Sequence, residues 1–235
     1  MNYLAIDAST EACSVALKVN SKVYSCYELC PQSHSLQLLP MVDRVLKEAN
    51  ITLSECDGLI FGRGPGSFTG VRIGVGVAQG LAFSANIPVV GVSSLQAMAQ
   101  LAFIKHKETK VFAAIDARMG EVYNGYFVID ENNIMQEQQL EDEQAEVVYS
   151  PDLIIERIET IGAPVYGVGT GWDAYKDKLS HLKKNQTTPE IQFPSAEAML
   201  TFGIAAFERG EGVEAENAQP VYVRDTVSWQ KLPGR

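Results

Sequence analysis

Positive charge is scarce in this sequence. The 235 residues include 19 Lys and Arg against 29 Asp and Glu, which gives a formal net charge of −10. A protein that binds nucleic acid on its own ordinarily presents a basic face, because neutralising phosphates supplies most of the affinity. The composition therefore argues against a chain that grips RNA or DNA without help from another subunit.

Long apolar runs are also lacking. The sequence has no stretch of about 18 apolar residues, the length a membrane helix needs, and no charged segment opens a signal peptide before the apolar start. We therefore expect no membrane span, no secretion and a cytoplasmic location. The four cysteines, at positions 13, 26, 30 and 56, are then expected to be reduced thiols.

Motifs for catalysis are lacking too. The chain has three histidines, and it contains neither a His-x-x-x-His metal pair nor a Gly-x-Ser-x-Gly nucleophile motif. Cys26, Cys30 and His34 are four residues apart, a spacing that would align them on a helix. The residues before Pro31 resemble the end of a strand, however, and no fourth ligand is evident. We therefore expect no metal and no cofactor.

The sequence does contain a strand, a turn and a second strand that occur twice. Residues 5–9 read AIDAS and residues 114–118 read AIDAR, each at the end of an apolar strand. The repeat predicts two related halves, at 1–104 and 110–235, and the last helix of the second half is free to return to the first. Residues 130–149 are acidic and rich in Gln, which predicts a solvated connection.

This duplicated pattern is the arrangement of the actin, hexokinase and heat-shock-protein superfamily, an α/β, ribonuclease H-like fold of two lobes. In that superfamily the two turns face each other across a cleft and hold nucleotide phosphates. Asp7, Ser9, Thr10 and Asp116 are the candidates for such a cleft here, whether active or vestigial. The alternative is that each Asp only ends a strand, since Asp is common in turns.

A glycine-rich segment at residues 62–72 reads GRGPGSFTGVR and precedes a predicted helix. It resembles a phosphate-binding loop at a helix N-terminus. No Lys follows the last Gly, as a P-loop would require, and the spacing is not that of a dinucleotide fingerprint. Gly64, Gly66 and Gly70 are therefore either a phosphate-binding loop or a tight connection.

Two predicted helices have more apolar surface than one contact can cover. They span residues 35–49 and 69–84, and the second has almost no polar face but four glycines. Packing one side on the chain's own sheet leaves another side that needs a neighbour. We expect a partner or dimer interface there, unless the two helices simply pack on each other. The predicted interface residues are Leu39, Val42, Leu46, Val71, Gly74, Val75 and Leu81.

Several stretches resemble the TsaB (YeaZ) family, and the resemblance extends over essentially the whole chain. The most specific is residues 62–74, GRGPGSFTGVRIG. The others are AIDAST at 5–10, SVAL at 14–17, HS at 34–35 with LLP at 38–40, PVYVR at 220–224 and KLPGR at 231–235.

The resemblance implies an actin-like fold and a role in making N6-threonylcarbamoyladenosine in tRNA. It implies a non-catalytic paralogue of TsaD that works with TsaD and the ATPase TsaE. Together they transfer threonylcarbamoyl from its adenylate to adenosine 37. TsaD-like proteins carry the His-x-x-x-His pair that this chain lacks. We therefore expect a scaffold that dimerises when isolated and meets tRNA only through the complex.

Two other functions compete with this one. A small actin-like ATPase or kinase would use Asp7 and Asp116. Arg118 and Met119 argue against it, because a turn that cradles phosphates favours small residues. A peptidase acting on the paralogue is the second alternative, and the sequence offers it no nucleophile–base pair.

Overall fold

Two five-stranded sheets form the framework of the protein, seen in a computed structural model that describes residues 1–140, 146–162, 164–184 and 190–224. The first sheet has the strand order β3-β2-β1-β4-β5. Its strands are β1 (Asn2–Asp7), β2 (Ala12–Val19), β3 (Lys22–Leu29), β4 (Gly58–Gly64) and β5 (Val89–Ser93).

The second sheet repeats the centre of the first. Strand β6 pairs antiparallel with β7 and parallel with β10, just as β1 pairs with β2 and β4. This shared pairing confirms the predicted actin-like α/β fold with duplicated halves. The strands are β6 (Lys110–Arg118), β7 (Glu121–Ile129), β8 (Met135–Gln138), β9 (Val147–Tyr149) and β10 (Tyr166–Val168).

Helices cover the outer face of each sheet. On the first sheet they are α1 (His34–Ala49) and α2 (Phe68–Ala85), and on the second α4 (Pro151–Ile161), α5 (Gly171–Ala174) and α6 (Lys176–Leu179). Helix α2 begins where the Ser67 side chain accepts a hydrogen bond from the Gly70 amide, which satisfies one of the free N–H groups of the first turn.

Two further helices, α3 (Ser94–His106) and α7 (Ala196–Glu208), lie between the sheets. One apolar core joins them to strands of both halves. Helix α7 packs against all five strands of the first sheet, although it follows the whole second half in sequence. The Ala196 amide donates to the buried Ser14 hydroxyl, which fixes the start of α7 on β2. The two sheets thus share one interior.

The acidic stretch at 130–149 is not only a solvated connection. It contains β8 and β9, which both pair antiparallel with β7. A strand with the sequence Met-Gln-Glu-Gln has little β propensity, and it forms here because the edge of β7 offers unpaired backbone groups. Residues 141–145 lie outside the described part of the chain.

Within the described residues, no helix combines the length and the apolarity that crossing a membrane requires.

Candidate functional site

A cleft of about 1000 Å³ separates the two duplicated turns. Both halves of the chain and its C-terminal segment contribute to the wall. The cleft therefore lies between the two turns that the sequence predicts to face each other. Its lining includes Thr10, Glu11, His34, Gly66, Phe68, Arg72, Asp116, Arg118, Tyr123, Tyr222 and Arg224.

Asp116 lines this cleft, as predicted from the sequence, but its carboxylate is already paired with Arg118. The Arg118 guanidinium donates to Asp116 Oδ2 at 3.0 Å, and the Arg118 amide donates to Oδ1 at 3.0 Å. The same guanidinium reaches across to Glu11 at 3.2 Å. Since Glu11 belongs to the turn after β1, one arginine links the turns of the two halves and covers the Asp116 carboxylate.

Asp7 and Ser9 lie beneath the cleft surface instead of lining it. Asp7 is 1% exposed, and its carboxylate Oδ2 accepts hydrogen bonds from the Ser9 amide and hydroxyl. Its Oδ1 would lie only 1.9 Å from a Cβ added at Gly62, so β4 closes over it. Of the four predicted cleft residues, Thr10 and Asp116 reach the wall, whereas strand packing encloses the other two.

Burial also sets the protonation of Asp7. It raises the pKa of Asp7 to about 6, and the two hydrogen bonds from Ser9 only partly oppose this shift. An acid this enclosed has no room for a metal ion with its water ligands. Its geometry fits a structural role at the end of β1.

The glycine-rich loop packs against the backbone of the turn after β1. A Cβ at Gly66 would lie 2.1 Å from the Ser9 carbonyl oxygen, and one at Gly70 would lie 2.3 Å from the Ala8 carbonyl oxygen. The Ser67 amide donates to that same Ser9 oxygen at 2.7 Å. Gly66 and Gly70 are therefore required for close backbone contact. Gly64, with φ +96, continues into the loop from β4.

The segment at residues 219–224 crosses the cleft. Val221 donates its amide to the Arg63 carbonyl at 2.8 Å, which attaches the segment to the glycine loop. The Tyr222 hydroxyl accepts from Arg72 Nε at 2.9 Å, and the Arg72 guanidinium lies 3.7 Å from the Phe68 ring centroid. We call residues 219–224 the strap.

The far end of the strap is held by the second half. Arg224 donates to the Glu121 carboxylate and to the Ala117 carbonyl, beside the turn between β6 and β7. The strap therefore narrows the space in which a nucleotide would lie. Sequence reasoning assigned it no role, although its aromatic and arginine residues were the available signal. The motif at 231–235 lies outside the described residues.

A second group of acids, missed in the sequence, is buried at the carboxyl ends of β4 and β5. Glu146 is 8% exposed, accepts a hydrogen bond from the Ser93 hydroxyl and lies 3.9 Å from the Arg63 guanidinium. Burial, and then the neighbouring Glu137, raise the pKa of Glu146 to about 7. This group packs within the chain and does not reach the cleft.

The predicted interface residues on α1 and α2 divide between the core and the surface. Val42, Val71, Gly74 and Val75 are buried against the chain's own first sheet. Leu46 and Leu81 are half-buried against the same cluster, and Leu39 is exposed. A surface for a partner must therefore consist largely of other residues.

The outward side of α2 is a separate stripe, which we call the outer stripe. It consists of the half-buried Ile73 and the exposed Gly76, Gly80 and Phe83. The spacing of three and four residues places these positions on one side of the helix. Phe83 is 82% exposed, and a Cβ added at Gly76 or Gly80 would meet no atom of the described residues within 4 Å. On the neighbouring α1, Leu36 is 72% exposed.

Comparison with known proteins places this architecture in a family. A family model described as TsaD, tRNA N6-adenosine threonylcarbamoyltransferase, matches residues 27–231. The tRNA threonylcarbamoyladenosine biosynthesis protein TsaB of Escherichia coli is 46% identical over 100% of both chains. Its counterpart in Haemophilus influenzae is 42% identical over 100% of this chain and 98% of its own.

A solved structure agrees with the sequence comparison. The crystal structure titled YeaZ from Pseudomonas aeruginosa superposes with a TM-score of 0.78 at 41% identity, and covers 94% of this chain and 99% of its own. Identity at this level over full length, together with the duplicated actin-like fold, identifies the chain as a member of the TsaB (YeaZ) family of tRNA threonylcarbamoyladenosine biosynthesis proteins.

Proposed function

We propose that this protein is the non-catalytic subunit of a threonylcarbamoyl transferase complex and binds a TsaD-like paralogue through the outer faces of α1 and α2. The outer stripe of α2 is the observation that carries the proposal. The complex transfers threonylcarbamoyl from its adenylate to adenosine 37 of tRNA in the cytoplasm, with TsaE as the associated ATPase.

The glycines of the outer stripe support an external contact. A glycine inside a helix costs about 1 kcal/mol relative to alanine. At Gly76 and Gly80 packing among the described residues gives no reason for it, because none of them comes within 4 Å of the missing side chain. Glycines four residues apart do allow a second helix to approach closely, and Phe83, three residues after Gly80, supplies exposed apolar area.

The occupied cleft supports an accessory role. A kinase or ATPase of this fold needs a free carboxylate to manage a magnesium ion. Asp116 is paired with Arg118, and Asp7 is enclosed by Gly62 and Ser9. Arg118 covers the Asp116 carboxylate that would hold the metal ion, which argues against the nucleotide-hydrolysing alternative.

The side chains also argue against the peptidase alternative. His34 is near Cys13 and Cys30, but all three are buried. Burial raises the pKa of the Cys13 thiol, with Cys30 and Asp7 acting in the same direction, which disfavours the thiolate that a cysteine peptidase requires.

Co-purification with the TsaD-like paralogue tests the proposal. Phe83→Glu places a charge at the C-terminal end of the outer stripe, at a position exposed enough for the isolated chain to fold normally. Leu153→Glu makes the same kind of change on α4, where Leu153 is 46% exposed. We expect Phe83→Glu to lose the paralogue and Leu153→Glu to keep it. Equal recovery of the paralogue by both variants would refute the proposed interface.

The accessory role is tested by turnover. The purified chain alone should hydrolyse neither ATP nor a peptide, while addition of the paralogue, TsaE and the threonylcarbamoyl donor should yield modified tRNA. ATP or peptide turnover by the isolated chain that disappears in Asp7→Ala would show that the chain is an enzyme itself.

A further inference from the structure

Two cysteines and a histidine from separate elements meet beneath the cleft. Cys13 lies on β2, Cys30 directly follows β3, and His34 is the first residue of α1. One sulfur or ring nitrogen from each lies within 4.8 Å of the others, and all three residues are buried. Sequence spacing suggested Cys26 in place of Cys13, because it assumed one helix, whereas the strand pairing of β2 and β3 supplies the second thiol.

His34 is oriented as metal-binding histidines are. Its Nε2 lies 2.6 Å from the Thr10 carbonyl oxygen. A carbonyl can only accept a hydrogen bond, so Nε2 carries the proton and the other ring nitrogen of the neutral ring keeps its lone pair. Histidines that ligate metals ordinarily donate their second ring N–H to a backbone carbonyl or a carboxylate.

The charge balance of the group also fits a divalent ion. Two thiolates and a neutral imidazole carry two negative charges together, which a divalent cation neutralises within the low-dielectric interior. Thr10 and His34 both line the cleft, so the group lies directly behind the cleft wall.

We propose that Cys13, Cys30 and His34 bind a soft, thiolate-preferring transition-metal ion, with Zn²⁺ as the probe. Hard cations such as Mg²⁺ are excluded because no carboxylate belongs to the ligand set. The ion would join β2, the end of β3 and the start of α1. This differs from the sequence-based expectation of no metal, and it does not depend on the partner proposed for α1 and α2.

Metal titration of the reduced, chelator-treated full chain tests the site. Co²⁺ should bind at one equivalent with a thiolate-to-metal charge-transfer band, and Zn²⁺ should displace it. Cys30→Ser and His34→Gln should each weaken Zn²⁺ binding at least about tenfold. Cys56→Ser is the matched control, because Cys56 is equally buried but outside the group. It should bind Zn²⁺ as the wild type does.

The melting temperature gives an independent reading for variants that fold less well. Zn²⁺ should raise it for the wild type and for Cys56→Ser, but not for Cys30→Ser, because an ion that binds only the folded state stabilises it. Absence of the charge-transfer band in the wild type, or its persistence in Cys30→Ser, would overturn the proposal. The proposal would also be overturned if the reduced protein does not bind Co²⁺ while Cys13 and Cys30 readily oxidise to a disulfide.

Discussion

Asp7 ends β1 with its carboxylate enclosed by Ser9, Gly62 and the helix α7 behind them. The sequence predicts an Asp at the end of a buried strand, and the structure agrees. The sequence does not predict how deeply the Asp7 carboxylate is buried, because the enclosing groups come from β4 and α7, which are remote in the chain. The result is an acid that prefers its proton at a pH where an exposed Asp is ionised.

Replacing Asp7 with Asn should stabilise the protein at neutral pH. Burial raises the pKa of Asp7 from 3.8 to about 6, so the folded state holds this proton more tightly than the unfolded chain does. The resulting stability is complete below about pH 4 and is lost as the pH rises through about 6. The variant's gain in unfolding free energy should therefore be near zero at about pH 4 and reach up to roughly 3 kcal/mol at about pH 8. Denaturant unfolding at both pH values measures it.

Asp177→Asn, at an exposed position on α6, is the matched control and should leave the pH profile unchanged. A variant at Asp7 that is less stable than the wild type at about pH 8 would contradict the burial argument. It would indicate that the ionised carboxylate has a cationic partner in the folded protein.

At the scale of elements, both α1 and α2 were predictable but their outward sides were not. Helix α2 is apolar around most of its circumference, so periodicity alone cannot tell which side meets the first sheet. The sheet takes Val71 and Val75, and the outer stripe is the side that remains. Strand β8 escaped prediction for a different reason. It forms because it pairs with β7, and its own composition does not favour a strand.

Enlarging Gly80 to Leu should separate folding from association. The site is open on the chain's own surface, and replacing a helical glycine gains up to about 1 kcal/mol. The melting temperature should therefore rise or stay constant, while self-association and paralogue binding weaken because the helices can no longer approach. Thermal unfolding and mass in solution are the two measurements. A more stable variant that still associates normally would rule out close helix packing at this stripe.

Val75→Glu changes a buried position of the same helix, whereas Gly80→Leu changes an open one. Val75 is 5% exposed within the first lobe's core, so a carboxylate there lacks both water and a partner. We expect loss of the folded lobe and not a folded, dissociated monomer. Circular dichroism distinguishes these outcomes directly.

The strap, like the outer stripe and β8, is revealed only by the structure. Tyr222→Ala removes the hydrogen bond from Arg72 and the ring beside Phe68, a loss of about 1 kcal/mol from a local contact. The Val221 amide, which donates to Arg63, should then exchange its hydrogen faster while the core strands stay protected. Tyr27→Ala, at a half-exposed position on β3, is the control. Unchanged exchange at Val221 would show that Tyr222 does not hold the strap.

For the whole molecule, the repeated AIDA sequence was enough to predict two related halves. It could not predict the interior that the halves share, because α3 and α7 are buried by contacts between residues far apart in sequence. That shared interior holds the two turns close enough for Arg118 to bridge them. The position of the candidate cleft was therefore predictable. The presence of Arg118 in its wall was predictable too, but that of the strap was not.

The isolated chain should bind tRNA weakly. Its net charge of −10 opposes approach to phosphates, and the opposition grows at low ionic strength as screening falls. Fluorescence anisotropy of a labelled tRNA, with the paralogue added as a positive control, measures this. Tight binding by the chain alone at physiological salt would contradict the expectation.

The most direct test of the central claim is the mass of the protein in solution while the TsaD-like paralogue is titrated in. If the outer faces of α1 and α2 serve both assemblies, the chain alone is a dimer, and the paralogue converts it to a one-to-one heterodimer as the homodimer disappears. Phe83→Glu should be a monomer that stays a monomer. Addition of the paralogue to an intact homodimer, with Phe83→Glu behaving as the wild type, would contradict the claim.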